Sequence, residues 1–118
     1  MMNRSRALLF AGLLLSASVP ALAASSEQPD LKRGEQLVKT RCMACHNTTM
    51  LKQVRTYPSL YGQKSAYLFK QLTDFKEGRR TSVTMQAIIQ GLTEQDFRDA
   101  AEYWGSLAPV KLKGEAKE

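Results

Sequence analysis

The stretch TRCMACHNTTML, residues 40–51, holds both cysteines of the chain, Cys42 and Cys45, and its single histidine, His46. Met43 and Met50, two of the five methionines, lie there too. A disulfide between Cys42 and Cys45 closes so small a loop that it removes little unfolded-state entropy and joins no distant segments. A structural zinc site needs four ligands, and Cys42, Cys45 and His46 supply three. No further Cys or His exists to complete it. A redox dithiol shares the C-x-x-C spacing but is expected on an alternating strand–helix background.

The surrounding sequence has no such background. Upstream, Asp30 is placed to cap a helix over LKRGEQLVKTRC, residues 31–42, with Leu31, Gly34, Leu37 and Val38 on one face. A glycine inside a helix costs about 1 kcal/mol against alanine, so Gly34 implies close approach of another helix. Residues 47–63 carry turn chemistry (NTT, YP, YG) and read as a loop with little regular structure. A second helix is expected over SAYLFKQLTDFKEG, with Leu68, Phe69, Leu72 and Phe75 on one face and Gly78 at its end. RRTSVT, residues 79–84, reads as a polar loop. A short helical piece follows from Met85 with Ile88, Ile89 and Leu92, closed by Gly91. Thr93 and Asp96 then form a capping box for a last helix buried through Phe97, Ala100, Ala101 and Trp104. The fold class is all-α, about four helices with a long loop between the first two. A loop of that length in so small a domain implies that something organises it.

The ends bound the compartment and the size. Arg4 and Arg6 precede an apolar run from Ala7 to Ala17, and Ala21-Leu22-Ala23 has the small-residue pattern of a cleavage site. Residues 1–23 therefore read as a signal peptide and residues 24–118 as one domain with a core over about 30–108. The strongly apolar part falls short of the ~20 residues of a membrane span, so no stable membrane insertion is expected after cleavage. The mature chain of 95 residues has 15 basic and 11 acidic side chains, a net charge of +4. The basic residues are scattered and accompany no nucleic-acid motif.

C-x-x-C-H is the attachment motif of c-type haem. The two thiols, one helical turn apart, can form thioethers to one macrocycle edge, and the adjacent His46 can ligate the iron. Export is consistent with this, and a flat apolar group supplies core that a short chain lacks. For the sixth ligand there is no second histidine. Met43 sits inside the motif and Met50 only four residues beyond His46. Met85, 39 residues beyond His46, has the reach. Met/His ligation suits electron transfer and raises the reduction potential.

With these residues in place the chain resembles the small class I c-type cytochromes, especially bacterial cytochrome c553 and single-domain cytochrome c4-like proteins. CMACH, YPSLYGQ, YLFKQLTDFKEGRR, Met85 and LTEQDFRDAAEYWGSL carry the resemblance, over about Leu31 to Leu107. It implies the cytochrome c fold around one covalently bound haem c, with Cys42, Cys45, His46 and Met85 as cofactor-binding residues and His46 and Met85 as iron ligands. It implies Gly34 at a crossing with the last helix near Ala101 and Tyr103, and a hydrogen bond from His46 to the Pro58 carbonyl. Arg79 and Arg80 become candidates for the haem propionates, or are simply solvated. Many relatives have Gly after the attachment His, where this chain has NTTM. The expected function is a periplasmic one-electron carrier, not an enzyme, exchanging electrons with redox proteins through their acidic patches. The alternatives are a haem subunit of a dehydrogenase or oxidase, and a ligand-binding or peroxidase-like haem protein.

Overall fold

The computed structural model describes residues 28–112. The expected signal peptide lies outside them. Six α-helices run in order: α1 Leu31–Leu37, α2 Met43–His46, α3 Thr48–Gln53, α4 Ser65–Lys76, α5 Val83–Ile89 and α6 Glu94–Ser106. A five-residue π turn, Val38–Cys42, joins α1 to α2 without a break. No strand occurs among the described residues. The four expected helices are present and the fold class is all-α. Helix α3 is a correction: residues 48–53 were expected as loop and are helical.

The frame is made by the two ends of the domain. Helix α1 packs across α6, α4 packs on α6, and α5 packs on α4. At the first crossing Gly34 is buried. A Cβ there would stand 2.1 Å from the Asp99 carbonyl oxygen and 3.1 Å from Tyr103 Cβ. The glycine is thus required by close approach, as its helical position implied. The crossing falls where it was expected on the last helix, with Tyr103 in contact, and its nearest atoms belong to the Asp99 backbone.

Polar groups seal the same crossing. Asp99 is fully buried. Its Oδ1 accepts from the Asp30 backbone N–H at 2.8 Å and from Gln95 Nε2 at 2.9 Å. Its Oδ2 lies 3.0 Å from the Arg33 guanidinium. A buried carboxylate is tolerated when paired in this way. Asp30 meanwhile caps α1 through its side chain, which accepts from the Lys32 and Arg33 N–H groups.

Two apolar clusters fill the interior. The first holds Val38, Leu68, Ala100, Ala101 and Trp104, with Cys42, Met43, Leu60 and Tyr61 against it. The second holds Phe75, Ile89 and Phe97, with Leu72, Met85 and Leu92 against it. Phe69 touches both. Full burial of each large side chain contributes about 1.5–3 kcal/mol. The α6 stripe read from its periodicity, Phe97, Ala100, Ala101 and Trp104, is buried throughout. The loop between α3 and α4 is pinned to the end of α6. The Gly62 N–H donates to the Trp104 carbonyl at 3.0 Å. Gly62 has φ +69°, and a Cβ there would meet Pro109 Cγ at 2.7 Å.

Two outcomes are expected from this packing. Gly34→Ala forces the crossing apart and costs about 1–3 kcal/mol, the range for overpacking; the urea midpoint measures it. The second concerns acid. Asp96 is held below its ordinary carboxyl value of 3.8, first by the Thr93 backbone N–H, then by the Thr93 hydroxyl and Arg33, with burial opposing. A depressed carboxyl stabilises the fold fully above its unfolded value and loses that contribution as pH falls through the folded value. Asp96→Asn should therefore lose less stability than the parent between neutral pH and about pH 3, measured as the change in urea midpoint.

Candidate functional site

The site begins with a change of helical pitch. After Leu37 the backbone widens, and the Met43 N–H reaches back to the Val38 carbonyl, an i→i+5 bond. π turns of this kind are rare and frequent at functional sites. The expected single helix over residues 31–42 is thus α up to Leu37 and π beyond it. Helix α2 then carries Met43, Ala44, Cys45 and His46.

Cys42 and Cys45 are half-buried, unbonded thiols. Burial pushes the Cys42 thiol up to about 11, against smaller opposing effects of Trp104 and Arg41. His46 is buried at 7% exposure. Its ring lies 6.5 Å from Trp104 in a T-shaped arrangement and 6.2 Å from Tyr57. Its Nδ1 lies 2.9 Å from the Pro58 carbonyl oxygen. A carbonyl only accepts, so this contact calls for the proton on Nδ1 and leaves Nε2 with its lone pair.

Asn47 holds the exit from this segment. Its Oδ1 accepts from the Thr49 and Met50 N–H groups, both at 2.9 Å. Its Nδ2 donates to the Met43 carbonyl at 2.7 Å. One side chain therefore closes α2 and opens α3, a cap worth about 1 kcal/mol. The N-T-T-M departure noted after His46 has a definite local shape, with Leu51 of α3 buried. Met50 is half-buried beside it.

Met85 lies elsewhere. The sequence suggested a polar loop ending at Thr84; instead α5 starts at Val83, and Ser82 caps it by accepting from the Met85 N–H at 3.3 Å. Met85 is half-buried against the second cluster. The structure thus brings Cys42, Cys45 and His46 onto one continuous helical segment at the first cluster. It carries Met85 on the second.

Arg79 and Arg80 are exposed, as the solvated reading expected, and both are engaged at the surface. Arg79 pairs with Asp74 at 2.8 Å and with Glu77. Arg80 lies over the Phe75 ring, 4.6 Å from its centroid, and donates to Gln71. Lys70 and then Arg79 hold the Asp74 carboxyl below its usual range.

A signal the sequence reading missed is charge order. From Gln36 to Thr73 there is no acidic residue, against six basic ones. Lys39 is paired to Glu35 and Lys70 to Asp74. Arg41, Lys52, Arg55 and Lys64 are exposed and form no ion pair among the described residues. The chain around the Cys–His segment is uniformly cationic.

The donor set can be tested against its rivals. Among the described residues no three Cys, His, Asp or Glu side chains converge to hold a metal ion, which argues against zinc. A buried imidazole with a free Nε2, beside two half-buried thiols, fits a tethered metalloporphyrin. The cytochrome c family matches residues 31–108. The chain belongs to the cytochrome c family. Membership implies covalently bound haem c, iron and electron transport, and the likeness within the family is to cytochrome c4. Over 98 residues the chain is 33% identical to cytochrome c4 of Pseudomonas aeruginosa, covering 83% of this chain and 47% of that protein. It is 33% identical to the cytochrome subunit of sulfide dehydrogenase of Chlorobaculum tepidum, covering 86% and 90%. It is 34% identical to cytochrome c-554(548) of Halomonas halodenitrificans, covering 65% and 95%. The chain spans about half the length of the cytochrome c4 relatives.

Proposed function

We propose that this cytochrome is a periplasmic mono-haem one-electron carrier and not an enzyme. In this reading residues 1–23 are a signal peptide and residues 24–118 one haem domain. No helix among the described residues is long and apolar enough to cross a membrane. Cys42 and Cys45 would anchor a single haem c, and His46 and Met85 would hold its iron. Bound haem c supplies an iron that takes up and returns one electron.

The observation that carries the reading is the His46–Pro58 contact. The backbone carbonyl fixes both tautomer and ring orientation, so the imidazole presents Nε2 with little freedom to turn. Trp104 and Tyr61, 5.0 Å apart and edge to face, wall the same segment from the α6 side. Rigid, buried supports of this kind limit rearrangement between oxidation states. Met85 is the candidate for the second axial position because it is the remaining thioether with reach, and α5 holds it in an apolar setting. With His46 and Met85 both holding the iron, the protein would leave no coordination site open to a substrate.

The partners are redox proteins, a donor and an acceptor, that present acidic patches. The acid-free run Gln36–Thr73 supports this. Exposed Arg41, Lys52, Arg55 and Lys64 steer encounter with surfaces of opposite charge. A second reading, a haem subunit bound to a dehydrogenase, is favoured by one relative. The cytochrome subunit of sulfide dehydrogenase matches over 90% of its length. The residue roles at the haem are the same in both readings.

Met85→Ala tests the carrier reading. The parent should show an intact mass with one haem added and bind no carbon monoxide when reduced. The variant should change its visible spectrum, bind carbon monoxide and have a lower midpoint potential, since Met/His ligation raises it. An unchanged spectrum in the variant, together with ready carbon monoxide binding by the parent, would sink the carrier assignment.

A further inference from the structure

We propose that the π turn Val38–Cys42, held open by the Thr40 hydroxyl, is the element that sets the direction in which Cys42 and Cys45 face. The inference rests on the haem-attachment reading above and concerns what makes attachment geometrically feasible. It starts from two fixed ends. Upstream, α1 has no rotational latitude, because Gly34 meets the Asp99 carbonyl and any rotation drives backbone into α6. Downstream, His46 is fixed by Pro58 at 2.9 Å. Between them the backbone is helical without interruption from Leu31 to His46.

In such a segment the facing of one end dictates that of the other. A regular α-helix advances about 100° per residue. An i→i+5 turn takes in one residue more than an i→i+4 turn, so everything beyond it is rephased by about that angle. The π turn therefore reconciles two tertiary demands that one regular helix would not meet together. Val38 at its start is fully buried and Cys42 at its end packs on the same cluster.

Thr40 sits in the middle of the turn, and its side chain is exposed to solvent. Its Oγ1 donates to the Gln36 carbonyl at 2.8 Å and to the Leu37 carbonyl at 3.2 Å. These two carbonyls lie where the ladder changes from four-residue to five-residue spacing. A threonine bonding back to the preceding turn competes with the regular ladder and bends a helix. Here it stabilises the wider spacing. Thr40 is thus a positioning residue: it acts on the thiols through the backbone and does not touch them.

The test uses the full chain, exported and matured with covalent haem, with two readouts: intact mass after denaturation and thiol alkylation, which counts the thiols left free because a thiol adds to a haem vinyl group without change of mass, and midpoint potential. Thr40→Val removes the hydroxyl and keeps the side-chain shape, so the segment relaxes toward a regular helix that turns the thiols by about 100°. The fraction carrying two thioethers should fall severalfold and the midpoint potential should shift, while Thr40→Ser, which keeps the hydroxyl, should match the parent. Deletion of Lys39, an exposed residue of the turn, in the Thr40→Val chain removes the extra residue, so a regular helix then joins the two ends in the parental phase and both readouts should return toward the parent. Thr40→Val and Thr40→Ser equal to each other in both readouts overturns the inference, and so does a Lys39 deletion that leaves the Thr40→Val defect unchanged. Should the deletion fail to fold, the Thr40 pair decides alone. In both cases a parent that carries haem leaves the attachment reading standing. A parent with free thiols after maturation overturns that reading, and this inference with it.

Discussion

The close approach of α1 to α6 is the constraint on which the rest of the molecule depends. Backbone meets backbone at Gly34 and Asp99, with no room for one methyl group. The Asp99 carboxylate is buried in the same place; its Oδ1 accepts from Asp30 and Gln95, and its Oδ2 lies beside the Arg33 guanidinium. Apolar packing holds α1 close, and the polar contacts fix where along α6 it sits. An apolar contact alone would tolerate sliding; a carboxylate that must satisfy a particular N–H does not. The crossing therefore sets both the distance and the register of the helix that leads into the Cys–His segment.

From that crossing the site is reached in a short series of local steps. The π turn passes the orientation of α1 to Cys42, α2 passes it to His46, and the Pro58 carbonyl receives the ring. Pro58 lies in a loop that is itself tied back to α6 where Gly62 meets Trp104. The imidazole is thus held from two directions, and both routes end on the same helix. This economy suits a small domain, in which few buried residues are available to support a site.

Much of this was legible in the sequence, and the exceptions have physical causes. Helices α4 and α6 were legible because each buries a periodic apolar face, and Thr93 and Asp96 mark the start of α6. The Cys–His segment was legible because it holds every cysteine and histidine of the chain. Helix α3 was not: TTMLKQ has a single buried residue, Leu51, and its start depends on the Asn47 side chain. The start of α5 was misread because Val83, its first residue, is 88% exposed, so the apolar pattern begins only at Met85. The Asp99 carbonyl that stands nearest Gly34 was not legible because it is backbone, which no side-chain pattern reports. A π turn likewise has no periodic signature, since its mark is the spacing of one hydrogen bond. For Arg79 the informative residue was Asp74, a turn back on α4.

The joining of first and last helices has a consequence for how the domain comes into being. Gly34 and Asp99 lie at nearly opposite ends of the folded chain, and Trp104, the aromatic wall beside His46, comes later still. A polypeptide emerging from its N-terminus lacks Ala100, Ala101 and Trp104, the α6 share of the cluster around Val38, until Glu94–Ser106 has also emerged. Contacts of such long sequence separation form late, because a large loop must close first. Cys42 and Cys45 are therefore more open to chemistry before α6 docks than after it, when both are half-buried. The topology thus leaves the two thiols fully exposed while the chain is incomplete and half-covered when it is whole.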